Sequence, residues 1–241
     1  TVNYTSNSYQ KDFHQGLFRC LNNATIVNLR VEGNIYIHGY HSIFGGSNYI
    51  DRYSAGLACK AKGSNLISNC RVAVNITAKI PDDVGYENKD THSGGYVGLV
   101  ANGCTVFSNC LFEGRLLGGN SGHSWGGFVG EAQGAVYFNH CLFSPAQINV
   151  DLHECATFAR GNAFMVFDTA IYNSTMGSVQ GIDGRSMTVD QAVEILGSDN
   201  WYKDSKNYAL SKQNVTCSPM SGTGIYSDPY LISSPVHWRF L

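Results

Sequence analysis

His38 and His41 stand at H-x-x-H spacing in "HGYHSIFGGSNYIDRY", and His92 and His123 recur at comparable points further along. A zinc site needs three or four converging ligands. No aligned set of that size is evident, so no metal is expected. "PDD" (Asp82, Asp83) with Asp90 offers oxygen ligands, yet the glycine and closing glutamate of a calcium loop are missing. Hydrolytic and phosphate-binding signatures are absent too: there is no G-x-S-x-G, H-E-x-x-H or glycine-rich phosphate loop. No cofactor is expected. Glu32 and Glu113 fall on outward strand positions two repeats apart, with Ala73 between them. That places them about 9.6 Å apart, near the span of an inverting glycosidase pair. Neither has a neighbour that would perturb it, so both read as surface charges and no catalytic residue is assigned.

What remains is the chemistry of recognition. Aromatic and polar residues concentrate in four segments: "HGYHSIFGGSNYIDRY", "PDDVGYENKDTH", "GGNSGHSW" and "VDLHEC". Tyr40, Tyr49, Asp51, Tyr53, Tyr86, His92, His123 and Trp125 are the candidate binding residues. Tyr and Trp among short polar residues are common material of binding surfaces. Trp125 is the strongest single candidate, because Gly126-Gly127 follows directly and would hold a half-exposed ring firmly. The rival reading makes it a structural cover.

The elements that position these segments follow from a repeat. "SGGYVGLVANGCTVFSNCLFEGRL" (Ser93 to Leu116) is echoed by "WGGFVGEAQGAVYFNHCLFSPAQI" (Trp125 to Ile148) and by "SAGLACKAKGSNLISNCRVAVNI" (Ser54 to Ile76). Five copies begin near Gly16, Gly56, Gly95, Gly127 and Ala156, at intervals of 40, 39, 32 and 29 residues. A second landmark is Asn28-Leu29, Asn69-Cys70 and Asn109-Cys110; in the fourth copy His140 reads as an insertion, and hence a bulge, between Asn139 and Cys141. The last copy carries Asn173-Ser174 after a longer gap. Period-two alternation turns Cys70, Val72, Val74 and Ile76 inward, and Cys110, Phe112 and Leu116 with them; Leu111, Glu113 and Arg115 turn outward. A unit of two short strands cannot bury its own apolar face and must stack on copies of itself. The predicted fold is all-β: a right-handed parallel β-helix, or β-solenoid, of about five coils. The four polar segments would then leave one edge side by side. Cys70, Cys110 and Cys141 would stack in a ladder, a geometry poor for disulfides.

After Gly177 the pattern changes. Thr188 as N-cap, Gln191 three residues on and Gly197 as the stop predict a short helix closing an exposed coil end. The predicted division is residues 1–180 for the repeat domain and 181–241 for the cap helix and the start of a following module. The abrupt first strand and the unfinished "GTGIYSDPYLISSPVHWRFL" read as a piece of a longer tandem chain.

The "GGYVGLVANGCTVFSNCLFEG" and "GGFVGEAQGAVYFNHCLF" copies resemble GLUG-type repeats across roughly Gln15 to Gly177. Such repeats occur in large bacterial surface proteins and in non-catalytic regions of some immunoglobulin A1 peptidases. The resemblance implies a β-helix and an extracellular, wall-associated or secreted setting, and it implies no chemistry. Partners would then be a host protein, immunoglobulin or mucin among the candidates, or a glycan. A net charge of −2 without a Lys/Arg cluster argues against nucleic acid. No apolar run is long enough to insert in a membrane. The function expected is a non-catalytic, adhesin-like surface module. The alternatives are a polysaccharide-active β-helix enzyme and a passive spacer.

Overall fold

The computed structural model describes residues 2–5, 13–38, 52–79, 91–118, 123–150, 152, 154–204 and 207–210. The chain divides into two compact units, Thr1–Ser211 and Lys212–Leu241, and every described residue lies in the first.

Strand β1 (Val2–Thr5) precedes five stacked coils. The first holds β2 (Phe13–Gln15), β3 (Phe18–Asn22), β4 (Thr25–Val27) and β5 (Arg30–His38). The second holds β6 (Arg52–Ala55), β7 (Ala58–Lys62), β8 (Ser64–Ser68) and β9 (Arg71–Lys79). The third holds β10 (Thr91–Gly94), β11 (Val97–Val100), β12 (Cys104–Ser108), β13 (Leu111–Phe112) and β14 (Arg115–Gly118). In the fourth, β15 (His123–Gly126) and β16 (Val129–Ala132) lead to a long β17 (Ala135–Phe143) and β18 (Gln147–Val150). The fifth holds β19 (Cys155–Ala156), β20 (Ala159–Gly161) and β21 (Met165–Tyr172), followed by β22 (Ile182–Asp183). Each strand pairs with its counterpart one coil away, always in parallel. A first sheet (β2, β6, β10, β15, β19), a second (β3, β7, β11, β16, β20) and a third, twelve-stranded one result. This is the expected all-β stack of parallel coils.

Alternation along the third sheet builds the core as columns. Cys70, Val72, Val74 and Ile76 are buried, as are Cys110, Phe112 and Leu116 one coil on. Ile67, Phe107 and Phe138 occupy one column, with ring centroids of the two phenylalanines 5.2 Å apart. Cys70, Cys110 and Cys141 occupy another, and each thiol lies against a backbone carbonyl. The Cys110 thiol and burial push the Cys70 thiol well up, and burial does the same to Cys110. The described cysteines are all free thiols.

The asparagine landmark is a left-handed corner: φ is +57° at Asn28, +51° at Asn69 and +50° at Asn109. Asparagine tolerates that region better than most residues. His140 (φ +52°) and Thr169 (φ +54°) hold the same corner in coils four and five. His140 is therefore no insertion. Asn139 pairs with Ser108 and Asp168, and the missing residue lies at the previous turn, where Ala132 to Ala135 replaces Val100 to Cys104. In the last coil Asn173 aligns past the corner, donating from Nδ2 to Ser144 Oγ.

The helix α1 (Val189–Leu196) has the expected capping box, Thr188 with Gln191, and ends at Gly197. Its position corrects the expectation of an end cap. Leu111, Leu142 and Ile171 form an outward column on the third sheet, and Ala192, Leu196 and Trp201 cover it from the side. An outward position on coils three to five is thus apolar because a second layer lies over it. The helix is followed by an antiparallel hairpin, β23 (Trp201–Asp204) with β24 (Asn207–Leu210).

The coil end is covered by other means. β22 pairs with the end of β21, Ser178 bridges to Ala156, and Gln180 takes the place of a strand over β20. Its Oε1 accepts from the N–H groups of Phe158 and Ala159 at 2.9 Å each, and its Nε2 donates to Ala159 O at 2.8 Å. An edge that would invite another chain is thereby closed by one side-chain amide.

Candidate functional site

The turn from the first sheet to the second folds the two sheets tightly together. A Cβ at Gly126 would lie 1.7 Å from Val129 O, and one at Gly130 would lie 2.7 Å from Ser93 C. Only glycine permits that approach. Beyond the contact, the outer faces of the two sheets oppose each other along two columns.

The first-sheet column reads His14, Tyr53, His92 and Ser124 in register, with Glu154 directly before the Cys155 that pairs with Trp125. Its rings stack: His14 on Tyr53 with centroids at 5.5 Å, and Tyr53 on His92 at 5.6 Å. The second-sheet column reads Lys60, Leu99 and Glu131, with Arg160 beside Glu131 on the fifth coil. Side chains connect the two. Lys60 Nζ sits 5.7 Å from the Tyr53 ring centroid, a cation–π distance. His92 Nδ1 lies 4.0 Å from Glu131 Oε2. Arg160 is ion-paired to Glu131, and its Nη2 donates to Glu154 Oε2 at 2.6 Å. Ser124 Oγ donates to the same Glu154 oxygen at 3.2 Å.

The depth of this cleft grades from apolar to charged. Tyr53, Cys59 and Leu99 form a small buried cluster near the turn. Side-chain exposure then rises from 13% at His92 and 17% at Glu131 to 28% at Arg160 and 56% at Glu154. The rim offers a guanidinium and two carboxylates, while the floor is aromatic. Among the described residues no group of His, Cys, Asp and Glu is arranged to hold a metal ion.

Of the eight candidate residues, Tyr53 and His92 are brought together on this outer column. His123 and Trp125 are not. Both point into the core, at 2% and 0% exposure, and their rings pack at 4.6 Å. Trp125 belongs to the main apolar cluster and is no half-exposed anchor. The reason is parity: Tyr53 pairs with His92 and His92 with Ser124, so Trp125, one residue later, faces the opposite side. Burial, with repulsion from His92 second, lowers the His123 pKa to about 3. Tyr40, Tyr49, Asp51 and Tyr86 lie outside the described residues.

His14, Ser124, Lys60, Glu131 and Arg160 belong to the site without having been singled out. The signal was positional. Tyr53, His92 and Ser124 each stand three residues before the glycine at 56, 95 and 127, while Lys60, Leu99 and Glu131 each stand four after it. The other acidic pair plays no part: Glu113 is paired with Arg71, and Glu32 with Arg30 on its own strand.

No protein-family model, no curated protein and no solved structure matches the chain.

Proposed function

We propose that this chain is a non-catalytic, extracellular binding module of a bacterial surface or secreted protein, which holds a host protein or a glycan at the cleft between the first two sheets. The observation that carries the reading is the contrast between its two kinds of column. The inward columns of the third sheet stay apolar from coil to coil. The outward column changes from His14 to Tyr53, His92, Ser124 and Glu154, and three of these meet a charged residue of the opposite column: Tyr53 meets Lys60, His92 meets Glu131 and Glu154 meets Arg160. Stacking alone does not require that variety. Varied side chains on a rigid repeat scaffold are what recognition uses. The bacterial surface setting rests on the resemblance to GLUG-type repeats.

The alternative of a polysaccharide-active enzyme draws on Glu131 and Glu154, which share this cleft. The guanidinium of Arg160 bridges them and occupies the gap where a glycosidase would place the scissile bond and its water. Binding is the better reading.

Glycan and host-protein arrays probed with the chain test it. A specific ligand is expected, and Arg160→Ala should weaken its binding at least tenfold, about 1.4 kcal/mol, with the melting temperature kept. No ligand on either array would favour the passive spacer, and full binding by the variant would move the binding site away from this cleft.

A further inference from the structure

Behind the cleft, the inner face of the first sheet departs from the rest of the core. Gln15 pairs with Ser54, Ser54 with Ser93, and Ser93 with Trp125. All four are buried, and so is His123, whose Nε2 lies 2.9 Å from Ser93 Oγ. Three neighbouring rungs thus place Gln, Ser and Ser where the third sheet places Val, Ile and Phe.

Their hydrogen bonding is incomplete. Gln15 Oε1, Ser54 Oγ, His123 Nδ1 and Trp125 Nε1 find no hydrogen-bond partner among the described residues. A buried donor or acceptor left unmade costs its full desolvation, and native interiors resolve such groups with protein atoms or ordered water. All four lie on one face of one sheet, and two of them, Gln15 and Ser54, are paired on the neighbouring strands β2 and β6; such a concentration marks a site. Gln15 Nε2 donates to Tyr36 O at 3.4 Å, which leaves the amide oxygen as the open acceptor on the residue that pairs with Ser54.

The rung spacing selects the occupant. Adjacent strands lie about 4.8 Å apart. One water bonded to two oxygens at about 2.8 Å each spans up to about 5.6 Å, so a single molecule bridges like positions on neighbouring rungs. We propose that the inner face of the first sheet is a hydrated seam in which a long-lived buried water bridges Gln15 Oε1 and Ser54 Oγ. The water donates to Gln15 Oε1, and the Ser54 hydroxyl donates to the water.

Water ¹⁷O magnetic relaxation dispersion on the chain counts long-lived internal waters directly. The native chain should give a clear dispersion, and Ser54→Val, which removes the hydroxyl and fills its space, should lower the count by at least one. An equal count, or no dispersion in the native chain, overturns the proposal. Should Ser54→Val fail to fold, a high-resolution crystal of the native chain decides. Density within about 3.2 Å of both oxygens supports the seam, and its absence rules it out.

Discussion

His92 lies directly beside Ser124 in the parallel register, while Trp125 lies beside Ser93 on the opposite face. That single pairing sorts the aromatic residues near the glycine turn into two roles. Tyr53 and His92 line the outer cleft; His123 and Trp125 fill the core.

Trp125→Ala should therefore cost about 3–5 kcal/mol of stability, as truncation of a large buried ring does where neighbours cannot collapse. Urea unfolding followed by circular dichroism measures it. A loss below about 1 kcal/mol would return Trp125 to the surface.

The repeat, the inward columns and the capping box of α1 were legible in the sequence because each is a local pattern of period two or of fixed offset. The sorting of His92 from Trp125 was also legible. It required counting each residue from its own glycine, three before at His92 and two before at Trp125. Other features were not. The His140 corner reads as an insertion unless the shorter turn near Gln133 is seen first. The side-on docking of α1 depends on Leu111, Leu142 and Ile171 coming into one column, and the Arg160 contact with Glu131 spans two coils. Local pattern carries no information about such meetings.

Gln180 closes the last rung through three hydrogen bonds to Phe158 and Ala159. Gln180→Ala should destabilise the chain by about 2 kcal/mol, since two backbone N–H groups and a carbonyl lose their partner. Amide exchange at Phe158 and Ala159 should quicken more than at Phe128 and Val129 one coil away. Uniform quickening would argue against a local closure.

Stability should fall with acid in a way that His123 governs. Its pKa is about 3 in the folded chain against 6.5 unfolded, so the unfolded chain binds the extra proton below pH 6.5. The contribution is complete well above that pH and is lost as pH drops towards 3, by about 1.6 kcal/mol between pH 6.5 and pH 5. The stability difference between native and His123→Met, measured by urea unfolding at those two pH values, should narrow by that amount. A pH-independent difference would show that His123 is not buried as a neutral ring.

The stacked thiols should remain reduced. Titration of the denatured, unreduced chain should find at least the seven thiols described, Cys20, Cys59, Cys70, Cys104, Cys110, Cys141 and Cys155. Two fewer among Cys70, Cys110 and Cys141 would contradict the ladder.

The register of the first sheet, on which both the cleft and the hydrated seam depend, is tested most directly by histidine labelling. Diethylpyrocarbonate modification of the native chain, read residue by residue by mass spectrometry, compares His92 and His140, both partly exposed, with His123 at 2% exposure. His92 and His140 should react at least about tenfold faster than His123, whose ring faces the core. Modification of His123 as fast as that of His92 would contradict the register, and with it the assignment of an outer and an inner face.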